Sequence, residues 1–308
     1  MIQTTKGKTQ MKIFNKEIPI QIIRLSIIGL TIASIVTFKI ISSNMIKAKI
    51  DKILGNAKAY ITYGDTSMDL FGFDAHIYDI KLSIPNQKPL LIDEMVVDSL
   101  DTDNAVPHYM NIKLKGIQSD LAMLKSNPNL ADKLNTLEFK DIDSDLVINY
   151  EFEKDEKMLN IKEFALKIEN AGKITYKAKL YNVVAMEYFP MQINLAPQTL
   201  KFGATSLEYK DDSFIERLTK LKAQDANKSV EVYKSERLKL YKTELNIAKT
   251  NSHDYETMLD EALISFFEDP ESFEFSIDPK EPISLSILNE LKSRNDVLET
   301  LKLKVSAN

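Results

Sequence analysis

The sequence predicts an α+β fold in which an N-terminal transmembrane helix precedes a mainly antiparallel β-sheet with C-terminal helices packed on it. Three observations predict this fold. Residues 25–38 form a strongly apolar run without a charge. Residues 57–210 repeatedly alternate apolar and polar side chains between short turns, which is the period of a strand with one buried face. From residue 211 onward apolar residues recur mainly at helical spacing. Segregated strands and helices favour antiparallel pairing.

The apolar run Leu25–Phe38 is predicted to be the centre of the transmembrane helix. Its fourteen residues fall short of the roughly 20 needed to cross about 30 Å of hydrocarbon, but apolar flanks extend the span to residues 20–41. Basic side chains near both ends can snorkel outward. The residues assigned to the anchor are Arg24, Leu25, Ile28, Leu30, Ile35, Phe38 and Lys39. A cleaved signal peptide and a soluble core helix are the alternatives, but no A-x-A site follows the run and the basic head favours a membrane anchor.

These features divide the chain into a cytoplasmic basic tail (1–19), the anchor (20–41), a juxtamembrane helix (42–56) and a periplasmic α+β domain (57–308). The domain is β-rich over residues 57–210 and helix-rich with returning strands over residues 211–308. An N-terminal signal-anchor usually leaves its N-terminus in the cytoplasm. The predicted localisation is therefore the bacterial inner membrane, with a single span and the large domain in the periplasm.

Strands and turns follow one another along the β-rich part. The predicted strands are Ala59–Tyr63, Ile80–Ile84, Leu90–Val97, Pro107–Leu114, Leu146–Phe152, Leu159–Ile168, Ile174–Leu180, Met191–Leu195 and Thr199–Tyr209. The apolar phase shifts between Ile161 and Phe164, which indicates a β-bulge. One short helix or two are predicted over Leu121–Leu134, interrupted by Asn127-Pro128.

The C-terminal part is predicted to contain three helices and two strands. The helices span Ser213–Lys249, Asp254–Phe267 and Ser284–Leu291, and the strands span Ser272–Ile277 and Leu301–Val305. Ser213 and Glu216 have the spacing of a capping box at the start of the long helix. The two late strands are expected to pair with the first sheet, because this gives one domain rather than two. The apolar stripe of the long helix is expected to pack on the sheet, to line an apolar groove or to dock a partner helix.

Composition excludes several classes of function. Residues 1–52 hold nine Lys or Arg and two Asp or Glu, a net charge of +7, so residues 53–308 carry −12 of the total of −5. An acidic domain repels nucleic acid. There is no Cys, and only 8 Gly residues are present, without a phosphate-binding motif. We therefore expect no nucleic acid, no nucleotide and no cofactor.

No catalytic motif is readable. Asp141, Asp143 and Asp145 resemble the start of a calcium loop, but positions 6 and 12 hold Leu146 and Phe152 instead of Gly and Glu. Asp98, Asp101 and Asp103 form a second acidic loop that is a candidate for ion binding. The three His residues lack metal-ligand spacing, and no Ser lies in G-x-S-x-G. The expectation is a protein that is not an enzyme.

Three stretches resemble one family. Gly64–Gly72, Ile80–Leu82 and Pro89–Asp93 are similar to the opening of AsmA-like bacterial envelope proteins. Leu207–Phe214 and the tail Asp269–Asn308 resemble the related YdgA-like proteins. The motifs are degenerate, and the chain is shorter than typical AsmA-like proteins. The resemblance implies a curved sheet with an apolar inner face, anchored at the inner membrane, that handles lipid.

The leading functional hypothesis is therefore binding or transfer of membrane lipid, or support of envelope integrity. An apolar cavity with polar groups at its mouth is what such a site needs. The predicted lipid-facing residues are Ile148, Tyr150, Phe152, Leu166 and Tyr176. The alternative is a membrane-anchored scaffold that recruits other envelope proteins, and an enzyme is the third hypothesis.

Overall fold

A computed structural model describes residues 60–308 with the exception of residues 65, 69–73, 84–87, 105, 121–133, 140, 196, 251–253, 285–286 and 288–293. The first 59 residues lie outside the described part of the chain.

One large antiparallel sheet dominates the described residues and contains twelve strands. The strands are β1 (Ile61–Thr62), β2 (Thr66–Met68), β3 (Ala75–Leu82), β4 (Leu90–Leu100), β5 (Tyr109–Asp120), β6 (Asp141–Glu153), β7 (Met158–Ile168), β8 (Gly172–Tyr181), β9 (Lys201–Asp211), β10 (Ser272–Ile277), β11 (Ile283–Ser284) and β12 (Lys304–Ala307). Their order in the sheet is β1-β3-β4-β5-β6-β7-β8-β9-β10-β12, with β2 beside β3 and β11 beside β9. Strands β3 to β9 thus form a meander, and the late strands β10 and β12 extend it, as predicted.

Tight turns join the central strands and fix the antiparallel pairing. The β6–β7 turn is closed by the amide of Lys157, which donates to the carbonyl of Lys154 over 3.2 Å. The β7–β8 turn is closed by the amide of Ala171, which donates to the carbonyl of Ile168 over 3.1 Å. Both turns contain a residue with positive φ, Lys157 in the first and Asn170 in the second. Polar residues tolerate such turns, and a short connection allows only an antiparallel neighbour.

Register shifts interrupt five of the strand pairs. The predicted bulge between Ile161 and Phe164 is confirmed as a register shift between β7 and β8. A second shift lies on β5 between Leu114 and Ile117 and contains Gly116, whose φ is +60°. Each extra residue bends its strand and increases the local twist. The shifts keep apolar residues on one face of the sheet along the full length of the long strands.

Five longer α-helices and two 3-10 helices, Met186–Tyr188 and Pro197–Thr199, accompany the sheet in the described part of the chain. The α-helices are numbered in chain order. They are α1 (Phe189–Leu195), α2 (Phe214–Asp225), α3 (Val230–Thr250), α4 (Asp254–Glu268) and α5 (Arg294–Leu301). Helix α2 packs on α3, α3 packs on α4, and α4 packs on β12 and β10. The prediction of one helix over Ser213–Lys249 is wrong, because the chain turns between α2 and α3 at Asn227, which has a φ of +52°. The amide of Lys228 donates back to the carbonyl of Ala223 and closes the end of α2.

The predicted fold class is wrong, because it places a transmembrane helix ahead of an α+β domain, whereas the structure is chiefly one antiparallel sheet. No helix within the described residues is long and apolar enough to cross a membrane. The juxtamembrane helix (42–56) and the anchor (20–41) lie outside the described residues, and so do the anchor residues Arg24, Leu25, Ile28, Leu30, Ile35, Phe38 and Lys39. The uncharged run alone is shorter than a span of about 20 residues. The single-pass inner-membrane localisation rests on that helix and is withdrawn with it.

Three smaller predictions also need correction. Met191–Leu195 belongs to helix α1 instead of a strand. Residues Ile283–Ser284 form strand β11, the last helix begins at Arg294, and the closing strand begins at Lys304. Ser284 thus lies in a strand, and the predicted helix Ser284–Leu291 otherwise lies almost wholly outside the described residues. The predicted helix Leu121–Leu134 lies almost wholly outside the described residues.

Candidate functional site

Two unbroken apolar rows cross the sheet on the same face, which we call the apolar face. Directly opposed residues of antiparallel neighbours project to one side of a sheet. The first row consists of Ala75, Val97, Ile112, Ile148, Phe164, Tyr176, Leu207, Phe275 and Val305. The second row consists of Ile77, Met95, Leu114, Leu146, Leu166, Ile174, Tyr209, Phe273 and Ala307. Eight interstrand spacings make each row roughly 38 Å long.

The structure brings all five predicted lipid-facing residues to the apolar face. Ile148 and Tyr176 belong to the first row and Leu166 to the second. Tyr150 opposes Ile161, and Phe152 opposes Leu159 on the same face. The register therefore unites residues that three separate strands contribute. Their contact with lipid stays a prediction.

Burial divides these five residues into two groups. Ile148, Phe152 and Leu166 are buried, so they form part of the core. The Tyr150 hydroxyl donates to the carbonyl of Pro107 over 3.0 Å, and burial raises the pKa of its phenol. Tyr150 and Tyr176 are both half-buried. The two tyrosines are thus the members of this set that keep part of their surface accessible.

Partly exposed residues occur along the apolar face, for example Met95, Val97 and Leu114 on β4 and β5. We call the partly exposed segment across β7 to β10 the apolar strip. It consists of Ile161, Phe164, Tyr176, Leu207 and Phe275, of which Phe275 is the most exposed at 38%. Burial raises the pKa of the Tyr176 phenol, so this side chain stays neutral at physiological pH. The strip therefore offers apolar surface without a charge.

Both sides of the apolar strip are covered. Toward the second row, Phe266 of α4 packs edge-on against Tyr209 and Phe273, with ring centroids 6.0 and 5.7 Å apart. Toward the opposite ends of the strands, Leu159 and Leu180 are buried. The open surface is consequently long and narrow, and it runs perpendicular to the strands.

Four residues of the apolar strip were missed by sequence reasoning, namely Ile161, Phe164, Leu207 and Phe275. Each of them lies in a predicted strand whose alternation of apolar and polar residues is visible in the sequence. Their meeting depends on the pairing of β7, β8, β9 and β10 across two register shifts. Such a register is a tertiary property that period-2 alternation within one strand does not define.

The opposite face of the sheet is charged. Lys173 of β8 pairs with Glu163 of β7 over 3.1 Å, and Lys210 pairs with Glu208 of the same strand, β9, over 3.2 Å. Exposed pairs of opposite charge stabilise a solvated face modestly. The two faces of the sheet therefore differ in polarity.

A three-residue cluster on the charged face contains His76, Glu94 and Lys115. The Glu94 carboxylate lies 2.6 Å from Nζ of Lys115 and 2.7 Å from Nδ1 of His76. The hydrogen bond from Lys115, followed by that from His76, lowers the pKa of Glu94. Glu94 in turn raises the pKa of Lys115. The arrangement keeps the Glu94 carboxylate ionised between two hydrogen-bond donors, as in a structural ion pair.

The candidate metal ligands do not converge. Asp141, Asp143 and Asp145 lie within strand β6 instead of a loop, and Asp145 accepts the amide of Gly116 over 3.0 Å. The Asp101 carboxylate already accepts hydrogen bonds from other residues of its own loop. Over the described ranges, no three His, Asp or Glu side chains are grouped closely enough to hold a metal ion.

The junction between β9 and α2 is closed by Asp211 and not by the predicted cap Ser213. Asp211 Oδ1 accepts the amide of Ile215 over 3.1 Å, while the Ser213 side chain makes no capping hydrogen bond. Tyr209 Oη lies 2.6 Å from both Asp211 Oδ1 and the carbonyl oxygen of Ala171. A phenol has one proton for two acceptors. A protonated Asp211 would resolve this shortage, and burial raises the pKa of Asp211.

Replacement of Asp211 by Asn is expected to flatten the dependence of stability on pH. The folded-state pKa of Asp211 lies above its unfolded value, so its contribution is complete below about pH 4 and is lost as the pH rises through the folded pKa. Asn stays neutral and still accepts the amide of Ile215. Urea unfolding from pH 4 to pH 7 should therefore show a smaller loss of stability in Asp211→Asn, by on the order of 1 kcal/mol. Asp225→Asn, at the exposed end of α2, is the control, and parallel curves for wild type and Asp211→Asn would refute the assignment.

Comparison with known proteins gives one family match. A family model described as "Uncharacterized protein" matches residues 165–308. No curated protein matches the chain. The matched part begins within β7 and contains all five α-helices and three of the five residues of the apolar strip.

Proposed function

We propose that the chain is a non-enzymatic lipid-binding protein whose apolar strip receives an acyl chain. The observation that carries the proposal is the first apolar row, which crosses nine strands without a charged residue and is half-exposed from Phe164 to Phe275. Covering this surface with an apolar ligand is favourable in proportion to the area removed from water. The AsmA-like resemblance of the sequence supports the same class of ligand.

The shape of the strip favours an acyl chain over a compact apolar ligand. The strip lies along a row and not within a closed pocket, so an extended, unbranched ligand contacts successive strands. Contiguous exposed apolar surface marks ligand grooves or interaction sites. Tyr176 adds one phenol along the strip, and a small number of polar groups is typical of lipid sites.

A charge introduced into the strip is expected to abolish binding. Phe275→Glu should weaken the affinity of the delipidated full chain for a fluorescent fatty acid by about tenfold or more, because the carboxylate must lose water when the ligand covers it. Ser276→Glu adds the same charge to the next residue of β10, on the opposite face, and is the matched control. Thermal melts establish that both variants remain folded.

Two results would contradict the proposed function. The first is the absence of saturable fatty-acid binding by the wild-type chain. The second is equal binding by wild type, Phe275→Glu and Ser276→Glu, which would place the ligand elsewhere. Phe275→Ser removes the aromatic ring without adding a charge, so it should weaken binding less than Phe275→Glu.

A second candidate function, the docking of a protein partner, is favoured by helix α3. Its residues Val232, Leu240 and Ile247 are exposed and recur at spacings of eight and seven, which places them along one side of the helix. Leu240→Glu should then remove a crosslinked partner without changing fatty-acid binding. The converse pattern, with an intact crosslink and altered lipid binding, would eliminate this candidate.

A further inference from the structure

The connection between β8 and β9, residues 182–200, exposes several large apolar side chains, and we call it the tip. Gln192 is 7% exposed, whereas four apolar side chains of the tip are 44–62% exposed. These side chains are Val184, Tyr188, Met191 and Ile193. Other apolar residues of the tip, Val183, Met186 and Leu200, are buried. Large apolar residues normally face the core, so the four exposed ones are the unusual feature of the tip.

Hydrogen bonds hold the tip in this arrangement. The Gln192 side chain accepts the amide of Val184 over 3.1 Å and donates to the carbonyl of Asn182 over 2.8 Å. The same amide group donates to Oγ1 of Thr199 over 3.0 Å. A buried, fully used glutamine fixes its surroundings because an unsatisfied amide is costly. The exposed apolar side chains are therefore displayed on a preorganised segment.

The tip is also poor in charge. Residues 180–200 contain one charged side chain, Glu187, where the chain average of 28% predicts about six. The exposed lysines Lys179 and Lys201 stand immediately before and after it. An uncharged apolar segment with an aromatic residue, flanked by lysines that can snorkel, is typical of insertion into a lipid–water interface.

The position of the tip connects it to the apolar face. It joins the end of β8 to the start of β9, and β8 and β9 both contribute to the apolar strip through Tyr176 and Leu207. The amide of Val183 donates to the carbonyl of Lys157 over 3.0 Å, so the tip also contacts the β6–β7 turn. A lipid surface that received the tip would lie at the strand ends, next to the apolar face.

We infer that the tip inserts into the surface of a lipid bilayer or micelle, from which an acyl chain passes to the apolar strip. The inference rests on the proposed function for the passage of the chain, but the insertion itself is a separate property of the tip. Because the exposed segment carries almost no charge, zwitterionic lipid is the expected surface and anionic lipid is not required.

Vesicle flotation with the full chain tests the insertion. Wild-type protein should float with phosphatidylcholine vesicles, and Met191→Glu should reduce the bound fraction by about tenfold or more, because the carboxylate would enter an apolar layer. Asn194→Glu adds the same charge to an exposed polar position of α1 and should leave flotation unchanged. Tyr188→Glu places a charge at a second exposed apolar position of the tip and should also reduce flotation. All three variants should bind a fluorescent fatty acid in solution like the wild type.

The other outcomes distinguish failure of the insertion from failure of the proposed function. Equal flotation of Met191→Glu and Asn194→Glu would show that the tip is not the inserting segment. Fatty-acid binding without flotation of the wild type would refute insertion and leave the proposed function intact. Flotation without fatty-acid binding would refute the proposed function alone. A change in sedimentation of Met191→Glu from dimer to monomer would identify the tip as a contact between two copies of the chain.

Discussion

Replacement of Asp101 by alanine is expected to destabilise the protein by about 3 kcal/mol or more. Asp101 is 3% exposed and holds the β4–β5 connection together. Its Oδ1 accepts the amide of Asp103 over 2.9 Å, and its Oδ2 accepts the amide of His108 over 2.8 Å and the Asn104 side chain over 2.7 Å. Alanine leaves these donors without their partner at a position that is closed to water.

The pH dependence of this effect follows from the pKa of Asp101. Burial alone would raise that pKa, but the hydrogen bonds from His108, Asn104 and Asp103 outweigh burial and lower it. A lowered folded-state pKa gives stability that is present above the unfolded value of about 3.9 and is lost as the pH falls through the folded pKa. Wild type should thus lose stability in acid, and Asp101→Ala should lose less of it there.

Urea unfolding of Asp101→Ala and of Asp103→Ala checks this expectation at pH 7. Asp103 is exposed in the same loop, so its loss should cost less than about 0.5 kcal/mol. Asp101→Asn should fall between the two, because its amide nitrogen would face a donor in place of one carboxylate oxygen. A cost below about 1 kcal/mol for Asp101→Ala would show that the loop is not held by this carboxylate.

Replacement of Gly172 by alanine is expected to cost about 3 kcal/mol or more. Gly172 begins β8 with a φ of +136°, a region that side chains rarely adopt. A Cβ at this position would lie 2.3 Å from the carbonyl oxygen of Lys210 and 2.8 Å from the ring of Tyr209. The first contact is with backbone of the neighbouring strand, so it cannot be relieved by a side-chain rotation.

The matched control for this substitution is Gly64→Ala. A Cβ on Gly64 would meet the end of the Asp79 side chain at 2.9 Å, which can rotate away, so the cost should stay near 1 kcal/mol or below. Thermal melting and urea unfolding should separate the two variants clearly. Similar stabilities for Gly172→Ala and Gly64→Ala would show that the start of β8 can shift, contrary to the register of β8 and β9.

The central strands were predictable because their alternation is local. Each strand from β6 to β8 contains the segment predicted from its alternating residues, and the bulge after Ile161 follows from a readable change of phase. The pairing of the late strands with the first sheet was predicted because it gives one domain rather than two. Local patterns of this kind predict strands well when one face is buried.

The tip was not predictable from alternation. The sequence MQINL alternates like a strand, yet Met191–Leu195 is helical. Pro190 stands near the start of this helix, where a missing amide proton costs nothing. The alternation arises because polar Gln192 faces inward and its apolar neighbours face water, which is the inverse of the pattern that the rule assumes. The shortage of charge over residues 180–200 was the available signal.

The functional site was predictable only in part. Alternation selected five residues of the apolar face, of which Tyr176 alone belongs to the apolar strip. The remaining strip residues meet through strand register, and their exposure depends on where α4 covers the sheet. Hydropathy also favoured a transmembrane helix over residues 20–41. The uncharged run within that segment has only fourteen residues, whereas a span needs about 20.

Photocrosslinking with a diazirine fatty acid tests whether the apolar strip binds lipid, because it reports where an acyl chain lies on the full-length protein. We expect saturable labelling, competed by unlabelled fatty acid, on peptides that contain Phe164, Tyr176, Leu207 or Phe275. Phe275→Glu should remove this labelling, and Ser276→Glu should preserve it. Labelling confined to α3, or labelling that excess fatty acid does not compete, would contradict the assignment of the apolar strip as a lipid site.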